Sequence, residues 1–527
     1  MMEGEPLAGL KTFGVGSAGG FRDMPYALVL ALTVVAQADQ PRPANPPSPA
    51  DVVAALETAI ADAITRAEPS VVAISRVKDG EGDETTAIRG RTPRPARRAV
   101  PPAALNPRLP GMVIGEPDED NDDDLLSFDY GSGVVIGDGD QILTAYHVVK
   151  GASRLLVRAS GHKKFDAEII AADPRSDLAV IVPVEDDRRG RPGLKPLRLG
   201  DATKLRKGGF LIALGNPFNA ARDGTPSATW GILSNTARRL EVSNVDDLQG
   251  EPKQLRHFPT LLQLDSKLNL GMSGGAVVNL KGELVGITTS LTSASGFDAQ
   301  AGYAIPIDAL TRRTIQLLKQ GKEVEYGFIG ISLTKAVPNR IQNVAPGTPA
   351  DHAGLLQGDT IIGVGDVAVN DGDSLILAVN AAPVGDPVRL RVLREDREGE
   401  AREIEKTVIL SKMPVGAAVI ATNRPAPWRG LRIDYTSTLS FGTFTQDVLQ
   451  AMAKGGVGVT EVITGSPADK VGIRRGQVIT GVAQHPVTTP RDFYQAIANR
   501  QGPVTLTTDR GLVTLAPDDA GTGASGK

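Results

Sequence analysis

The chain of 527 residues contains no cysteine. This absence excludes disulfide bonds, cysteine nucleophiles and cysteine-ligated zinc sites. Histidine is scarce, with five residues, and the sequence has neither a His-Glu-x-x-His motif nor a carboxylate pattern that predicts a metal site. We therefore expect a protein that works without a metal and without a cofactor.

The chain also lacks an excess of either charge, since 57 Lys and Arg stand against 61 Asp and Glu. Without a global basic surface, nucleic acid is not expected as a main partner. The Gly-x-x-x-x-Gly-Lys-Ser/Thr motif of nucleotide-binding loops is missing, so the chemistry is expected to be independent of ATP. No segment reaches the ~20 apolar residues of a membrane-spanning helix, and we expect no stable membrane span.

A short apolar run occupies residues 24–38 and ends in Ala-Gln-Ala. This pattern predicts a signal peptide at residues 1–38, cleaved after Ala38, and export to the periplasm. The positive charge in front of the run is weak, because Asp23 opposes Arg22. A buried segment and an uncleaved anchor are therefore the alternatives.

A serine between glycines gives the first positive signal, in the motif Gly-Met-Ser-Gly-Gly at residues 271–275. Glycine allows a tight turn and aims bare N–H groups at a developing oxyanion, which suits Ser273 as a nucleophile. Taken alone, the motif also fits a flexible turn or a linker.

Two motifs upstream favour the catalytic interpretation. His147 ends an apolar, β-rich run at 141–147, and Asp177 precedes the apolar run at 178–181. The order His, Asp, Ser along the chain is that of the chymotrypsin-type triad. The other four histidines lie in turns or among charged residues, and we expect them at the surface.

These motifs resemble the trypsin-like domain of the HtrA/Deg family of serine proteases, and with the downstream modules the resemblance covers about residues 52–516. It rests on Gly-Ser-Gly-Val-Val at 131–135, the motifs of His147 and Asp177, Gly-Asn-Pro-Phe at 215–218, and the glycine-flanked Ser273. The family usually has asparagine where this chain has Met272.

The resemblance implies a role for each of these residues. His147 is the general base, Asp177 orients it, and Ser273 is the nucleophile. The oxyanion hole is implied at Gly271, Met272 and Ser273, through backbone N–H groups. Ile287 is implied to line the first specificity pocket, which favours a small or aliphatic substrate residue there.

Length and pattern predict several domains, because one domain takes ~100–200 residues. Short apolar strands between residues 131 and 310 alternate with Gly and Asp turns, as in an all-β double barrel. We expect a mainly β fold, a chymotrypsin-like double β-barrel followed by two PDZ-like α+β modules. The predicted segments are a signal peptide at 1–38, a proline-rich spacer at 39–50, the protease domain at 51–325 with a long flexible loop at 77–129, the first PDZ module at 326–413, a linker at 414–427, the second PDZ module at 428–517 and a disordered tail at 518–527.

An internal repeat indicates the two modules, since Gly-Thr-Pro-Ala-Asp at 347–351 lines up with Gly-Ser-Pro-Ala-Asp at 465–469. By resemblance to PDZ domains, a loop in the first module binds the carboxylate of a peptide C-terminus. The residues of that loop are Phe328, Ile329, Gly330 and Ile331. Its counterpart at 428–433 is less regular, and we expect an altered groove there.

The predicted function is that of an ATP-independent serine endopeptidase in envelope quality control. Its substrates are expected to be unfolded, damaged or C-terminally exposed polypeptides. The alternative is a non-proteolytic PDZ-based peptide-binding protein or chaperone with an inactive barrel, which Met272 favours. The resemblance implies homo-oligomers, as trimers or multiples of them. We also expect the barrel to fold without residues 327–517, because each module has its own apolar residues.

Overall fold

The structure is a computed structural model. It describes residues 48–77, 130–185, 192–217, 223–238, 260–289, 301–396, 398–415, 418–439 and 446–517. The predicted signal peptide, nearly all of the spacer and of the long loop, and the C-terminal tail lie outside the described residues. None of the described helices is long and apolar enough to span a membrane.

Helix α1 (Pro49–Ala67) precedes the first barrel, which six antiparallel strands form. Val, Ile and Leu are frequent in most of these strands, as suits a pleated surface with a buried face. They are β1 (Val71–Val77), β2 (Tyr130–Ile136), β3 (Gln141–Ala145), β4 (Arg154–Ala159), β5 (Lys163–Asp173) and β6 (Leu178–Pro183). The order is β5-β4-β1-β2-β3-β6, and pairing of β5 with β6 closes the barrel. Helix α2 (Tyr146–Val149) follows β3 directly.

A second closed barrel follows, in the order β10-β11-β12-β9-β8-β7. Its strands are β7 (Phe210–Gly215), β8 (Ser227–Arg238), β9 (Leu261–Leu264), β10 (Ala276–Val278), β11 (Leu284–Thr289) and β12 (Gly302–Pro306). Helix α3 (Ala309–Lys319) ends the domain. It begins at Asp308, whose carboxylate accepts the N–H of Thr311 and so caps the helix.

The two barrels share a buried core. One cluster combines Val134 and Leu143 of the first barrel with Ile212 and Leu284 of the second. The later part of α1 and helix α3 pack on the same cluster, through Ala63, Ala67, Ile315 and Leu318. This packing fixes the two barrels against each other.

The first module after the barrels is a small β structure with two helices. Its elements are β13 (Gly327–Phe328), β14 (Ile331–Leu333), β15 (Ile341–Val344), α4 (Pro349–His352), β16 (Thr360–Val364), β17 (Val367–Ala368), α5 (Gly372–Ala381), β18 (Pro387–Glu395), β19 (Ala401–Ile409) and β20 (Ser411–Lys412). Strands β17-β16-β18-β19 form one sheet, while β13 pairs with β20 and β14 with β15. A core of its own fills the module, as the apolar pattern predicts.

The segment predicted as a linker, residues 414–427, contains a short strand, β21 (Ile420–Ala421). This strand pairs antiparallel with β5 of the first barrel, Ile420 opposite Ala172 and Ala421 opposite Ala171. The chain between the two modules thus returns to the barrel before the second module begins.

The second module repeats the plan of the first. Its elements are β22 (Leu431–Tyr435), α6 (Gln446–Ala453), β23 (Val457–Val462), α7 (Pro467–Lys470), β24 (Val478–Val482), β25 (His485–Pro486), α8 (Pro490–Ile497), β26 (Val504–Thr508) and β27 (Gly511–Leu515). The repeated motifs form the matching short helices α4 and α7. The predicted fold class, a chymotrypsin-like double barrel followed by two PDZ-like modules, is confirmed.

A buried lysine joins the second module to the rest of the protein. The ammonium of Lys412 lies 2.6 Å from a carboxylate oxygen of Asp434, which belongs to the second module. It also lies 2.8 Å from a carboxylate oxygen of Glu323, which follows α3 in the sequence. Glu325 approaches to 3.8 Å, and Arg424 lies 3.4 Å from Glu323. We call Lys412, Glu323, Glu325, Asp434 and Arg424 the Lys412 cluster. It ties together the end of the barrel domain and both modules.

Candidate active site

The three predicted catalytic residues lie beside strand ends of the two barrels. His147 stands in α2, directly after β3, and Asp177 stands in the turn before β6. Ser273 lies in the turn before β10 of the second barrel. The first barrel thus carries His147 and Asp177, and the second carries Ser273, the predicted nucleophile.

His147 and Asp177 form a short, doubly contacted pair. Nδ1 of His147 lies 2.8 Å from Oδ2 and 3.0 Å from Oδ1 of Asp177. The backbone N–H of His147 also donates to Oδ1, at 3.1 Å. A carboxylate held on Nδ1 in this way selects the tautomer whose Nε2 is unprotonated and able to accept a proton.

Asp177 is itself held in an unusual backbone conformation. Its φ is +53°, in the left-handed region that side chains other than glycine rarely adopt. Tyr146 donates its backbone N–H to the Asp177 carbonyl at 2.9 Å, and Thr289 Oγ1 donates to Oδ2 at 3.2 Å. The orientation of this carboxylate therefore depends on contacts from both barrels.

The turn before Asp177 rests on a buried tyrosine. Tyr326 donates its hydroxyl to Oδ2 of Asp173 at 2.5 Å, and the same oxygen accepts the N–H of Ser176 at 2.9 Å. Burial raises the pKa of Asp173, and burial with the nearby Asp173 charge raises that of Tyr326. Tyr326 is the first residue after the predicted protease boundary, yet it packs in the core that the barrels share.

The predicted contact between His147 and Ser273 is absent in this conformation. Nε2 of His147 is buried and has no hydrogen-bond partner among the described residues, so it does not contact the Ser273 hydroxyl. Hydrogen bonds between nucleophile and base are often long in unliganded enzymes and tighten when substrate binds. The nitrogen that would accept the serine proton is therefore available.

The serine turn is held by hydroxyl groups of neighbouring strands. Ser132 Oγ donates to the Gly271 carbonyl at 2.7 Å and accepts the N–H of Asn216 at 2.8 Å. The Ser132 N–H donates to the Ser273 carbonyl at 2.8 Å, and Thr288 Oγ1 donates to the Met272 carbonyl. These bonds turn the carbonyl oxygens of the loop inward.

Three N–H groups of the same turn donate to backbone carbonyl groups. Met272 donates to Asn269 at 3.1 Å, Gly274 to Thr288 at 2.8 Å and Gly275 to Met272 at 2.9 Å. Within residues 271–275, only Gly271 and Ser273 have N–H groups without a backbone acceptor among the described residues. This arrangement corrects the predicted oxyanion hole, because it removes the Met272 N–H and leaves the other two donors.

Glycine is required at two positions of this turn. Gly271 has φ +92°, and a Cβ there would lie 2.5 Å from the Asn216 carbonyl oxygen. Gly274 has φ +83°, and its Cβ would overlap the Ser132 carbonyl oxygen and the Thr144 hydroxyl. The glycines that flank Ser273 are thus explained by close backbone packing.

Comparison with known proteins agrees with this geometry. Residues 131–287 match the trypsin-like peptidase domain family, and residues 327–404 and 458–510 each match a PDZ domain family. The periplasmic serine endoprotease DegP of Salmonella typhimurium is 29% identical over 395 residues, which cover 72% of this chain and 74% of DegP. The chain belongs to the HtrA/Deg family of serine proteases.

Other members of the HtrA/Deg family show similar coverage. The periplasmic pH-dependent serine endoprotease DegQ of Escherichia coli is 29% identical over 395 residues, which cover 72% of this chain and 78% of DegQ. A solved structure of the HtrA-type protease AlgW with tripeptide is 23% identical, covers 67% of this chain and has a TM-score of 0.48. As an HtrA/Deg protein the chain is a serine endopeptidase, and its substrates are polypeptides.

Met272 stands in the serine motif where the HtrA/Deg family usually has asparagine, and its side chain is buried. It is 3% exposed and packs with Leu211, Leu264, Val285 and other apolar residues inside the second barrel. The methionine therefore anchors the loop by apolar packing, while the carbonyl and N–H of the residue keep their backbone partners.

Ile287 was predicted to line the specificity pocket, but the structure buries it completely. Its side chain belongs to the core between the barrels, with Leu214, Ala276 and Ile305. It therefore offers no surface to a substrate in this conformation.

Sequence reasoning missed Ser132, Thr288 and Thr289 as supports of the HtrA/Deg site. All three are buried polar residues in otherwise apolar strands. A buried hydroxyl group almost always has a hydrogen-bond partner, so a serine or threonine inside an apolar run was the available signal.

The predicted peptide loop of the first PDZ module is built to offer N–H groups. The carbonyl of Gly330 accepts from the N–H of Ala345 at 3.0 Å, and that of Ile329 accepts from the N–H of Ala350 at 2.9 Å. The N–H groups of Ile329 and Gly330 have no backbone acceptor among the described residues. Gly330 has φ +87°, and Phe328 and Ile331 flank the loop in β13 and β14.

The corresponding loop of the second PDZ module has carbonyl bonds that match those of the first loop, from Ile463 N–H to Gly430 and from Ala468 N–H to Arg429, and it differs by a further backbone pair. The N–H of Leu431, the counterpart of Ile331, donates to the Trp428 carbonyl at 2.8 Å. Arg429 takes the place of Ile329, but its guanidinium is buried and donates to the carbonyls of Leu515 and Gly502 at 2.7 and 2.6 Å. Arg429 therefore stabilises the module and does not face an incoming carboxylate.

Proposed function

We propose that this HtrA/Deg protease cleaves unfolded or damaged polypeptides without ATP, using Ser273, His147 and Asp177, in envelope quality control. The observation that carries the proposal is the His147–Asp177 pair, in which Nδ1 of His147 lies 2.8 Å from Oδ2 of Asp177 and the His147 N–H donates to Oδ1 at 3.1 Å. The N–H groups of Gly271 and Ser273, for which the described part of the chain offers no backbone acceptor, lie on the loop of the proposed nucleophile and also support it.

The proposed mechanism gives each group one task. Ser273 Oγ attacks the substrate carbonyl carbon while Nε2 of His147 takes its proton and later passes it to the leaving amine. Asp177 keeps the imidazole in the required tautomer and stabilises the imidazolium. The N–H groups of Gly271 and Ser273 stabilise the oxyanion, each worth about 3–4 kcal/mol by analogy with other oxyanion holes.

The substrate class is tested with one protein supplied in two states. We expect the purified chain to cleave a chemically unfolded protein without ATP and to leave the folded form of the same protein intact. Cleavage requires an extended segment of the substrate at the active site, and a stably folded protein does not expose such a segment. Gel analysis over time, with Ser273→Ala as the control, measures the difference.

The alternative function is that of a peptide-binding chaperone with an inactive barrel. The open contact between Ser273 and His147 is the observation that favours it. Prevention of aggregation by the wild-type chain, with no cleavage of any unfolded protein, would establish the alternative and reject the protease mechanism.

We further propose export to the periplasm, with cleavage after Ala38, and assembly into trimers or their multiples. The curated relatives DegP and DegQ are named periplasmic, which supports the first point. The assembly rests on family resemblance. N-terminal sequencing of the exported protein and light scattering test the two points, and an intact N-terminus or a monomer would contradict them.

We propose that the first PDZ module binds peptides with an apolar C-terminal residue, through Phe328, Ile329, Gly330 and Ile331. Short strands bury little surface, so we expect micromolar affinity at best. Amidating the peptide should weaken binding roughly tenfold or more, because charge-assisted hydrogen bonds are lost. Fluorescence titration of the full chain carrying Ser273→Ala measures both peptides without cleavage.

The two modules offer a matched pair of variants for this test. Gly330→Ala places a Cβ against the Thr348 side chain, and Gly430→Ala places one against Ser466. We expect only Gly330→Ala to abolish binding. Equal binding of the free-acid and amidated peptides, or loss of binding with Gly430→Ala alone, would reject the assignment.

A further inference from the structure

Strand β21 covers an open edge of the first barrel beside the catalytic aspartate. One edge of β5 pairs with β6 along residues 167–173. On its other edge β4 pairs with β5 only as far as Ala167, and β21 takes up Ala171 and Ala172. Without β21 the last residues of β5, immediately before the turn of Asp177, would be an exposed strand edge.

Residues 418–423, which we call the strap, are held by more than this pairing. Thr422 donates both its N–H and its hydroxyl to the Ile170 carbonyl, each at 3.0 Å. Asn423 donates its N–H to Gly321 at 2.9 Å and its side-chain amide to Gln320 at 3.1 Å. The strap is thus fastened to β5 and to the end of α3, both in the barrel domain.

The apolar side of the strap packs near the catalytic base. Ile420 contacts the core cluster of the first barrel, which includes Tyr146, Val148 and Ala172. Tyr146 and Val148 are the two neighbours of His147 in α2. The strap therefore adds packing to the helix that carries His147.

The strap also accepts a hydrogen bond from the residue before the base. Tyr146 is 5% exposed, and its hydroxyl donates to the Ala418 carbonyl at 3.2 Å. The backbone N–H of the same residue donates to the Asp177 carbonyl at 2.9 Å. Tyr146 therefore links the strap to both members of the His147–Asp177 pair.

We propose that the strap, although it lies between the two PDZ modules in sequence, is a working part of the catalytic barrel that positions His147 and Asp177. Tyr146 is the positioning residue that transmits this support through its hydroxyl. The proposal rests on the proposed catalytic role of His147, Asp177 and Ser273. It means that movement of the chain between the modules alters turnover at a site it does not touch.

The first test replaces residues 418–423 with Gly-Ser-Gly-Ser-Gly-Ser in the full chain. Because small misplacements of catalytic groups cost up to ~100-fold in rate, we expect kcat on a short peptide to fall about tenfold or more. KM should stay within about twofold, since the strap contacts no substrate group. Hydrogen–deuterium exchange should rise in residues 170–178 and stay unchanged in β10 and β11.

A conservative variant tests the same role with little risk that the protein misfolds. Tyr146→Phe removes one hydroxyl, and we expect kcat to fall roughly two- to tenfold with KM unchanged. Tyr494→Phe is the matched control, because it removes a hydroxyl from a partly buried tyrosine of the second module. The control should keep wild-type kcat.

The outcomes separate this proposal from the proposed function. Wild-type kcat in both the strap variant and Tyr146→Phe, with unchanged exchange at 170–178, would overturn the role of the strap. A wild-type chain without any Ser273-dependent cleavage would reject the protease mechanism instead. In that case exchange at 170–178 still decides whether the strap orders the turn of Asp177.

Discussion

Replacing Ser273 by alanine is expected to lower kcat for peptide hydrolysis by about 10⁴- to 10⁶-fold, which is the scale of triad deletions. In the proposed mechanism this change removes the hydroxyl that attacks the substrate carbonyl while Nε2 of His147 takes its proton. The side chain becomes smaller without leaving a polar group unsatisfied, so the fold should persist. Cleavage of a fluorogenic peptide and the thermal unfolding midpoint measure the two effects.

His147→Ala and Asp177→Ala should show losses of similar or slightly smaller size. The three losses should not add, because the residues act as one unit. The double variant Ser273→Ala with His147→Ala is the decisive comparison, and it should be no slower than Ser273→Ala alone. Wild-type turnover of Ser273→Ala would show that this serine is not the nucleophile.

Replacing Lys412 by methionine is expected to give the largest loss of stability, about 3–5 kcal/mol, as for other buried ion pairs that lose one partner. The variant leaves Glu323, Glu325 and Asp434 without the ammonium that all three face, while Arg424 still pairs with Glu323 and Arg313 still acts on Glu325. The free energy of unfolding in urea, followed by tryptophan fluorescence, measures the loss. Scattering should show an expanded particle if the second module leaves its place.

Two controls separate the charge from the change in packing. Arg154→Met breaks an exposed pair with Asp166, at 2.9 Å, and should cost less than about 1 kcal/mol. Adding Glu325→Gln and Asp434→Asn to Lys412→Met should restore part of the stability, because fewer buried charges remain uncompensated. A Lys412→Met variant as stable as Arg154→Met would contradict the proposed role of the Lys412 cluster.

The pH dependence of the Lys412 cluster has a definite sign. Burial alone would lower the pKa of Lys412, but Asp434, Glu323 and Glu325 outweigh it and raise the pKa above its usual 10.5. The stability from this lysine is therefore complete below pH 10.5 and is lost as the pH rises further. Burial raises the pKa of Asp434 above 3.8, so that group adds stability as the pH falls.

The sequence predicted the parts of the site that depend on local backbone chemistry. The glycines around Ser273 reflect a turn where a Cβ does not fit, and such a requirement appears directly in the residue order. The chain order of His147, Asp177 and Ser273 and the repeated Gly-x-Pro-Ala-Asp motif are equally local. The double barrel and the two PDZ modules followed from these motifs.

Side-chain direction was harder to predict than position. Ile287 lies on β11 beside the site, but its side chain points into the core between the barrels. Met272 was expected to supply an oxyanion donor, whereas its N–H is taken by Asn269. The direction of the Ile287 side chain depends on neighbours distant in sequence, and the hydrogen bond of the Met272 N–H depends on the geometry of the turn. Neither can be inferred from the residue type.

By itself, the sequence determined the fold class, the modular order and the three residues proposed for catalysis, because short motifs impose these through backbone conformation and residue chemistry. Only the tertiary structure placed residues 418–423 on β5, and Met413 and Ile420 in contact with the barrel cores. That placement puts part of the segment 327–517 in contact with the barrel, and folding of the barrel without this segment stays a prediction. Strand edges pair through N–H and carbonyl groups that every residue carries, so a pairing between residues 172 and 420 leaves no pattern in the sequence.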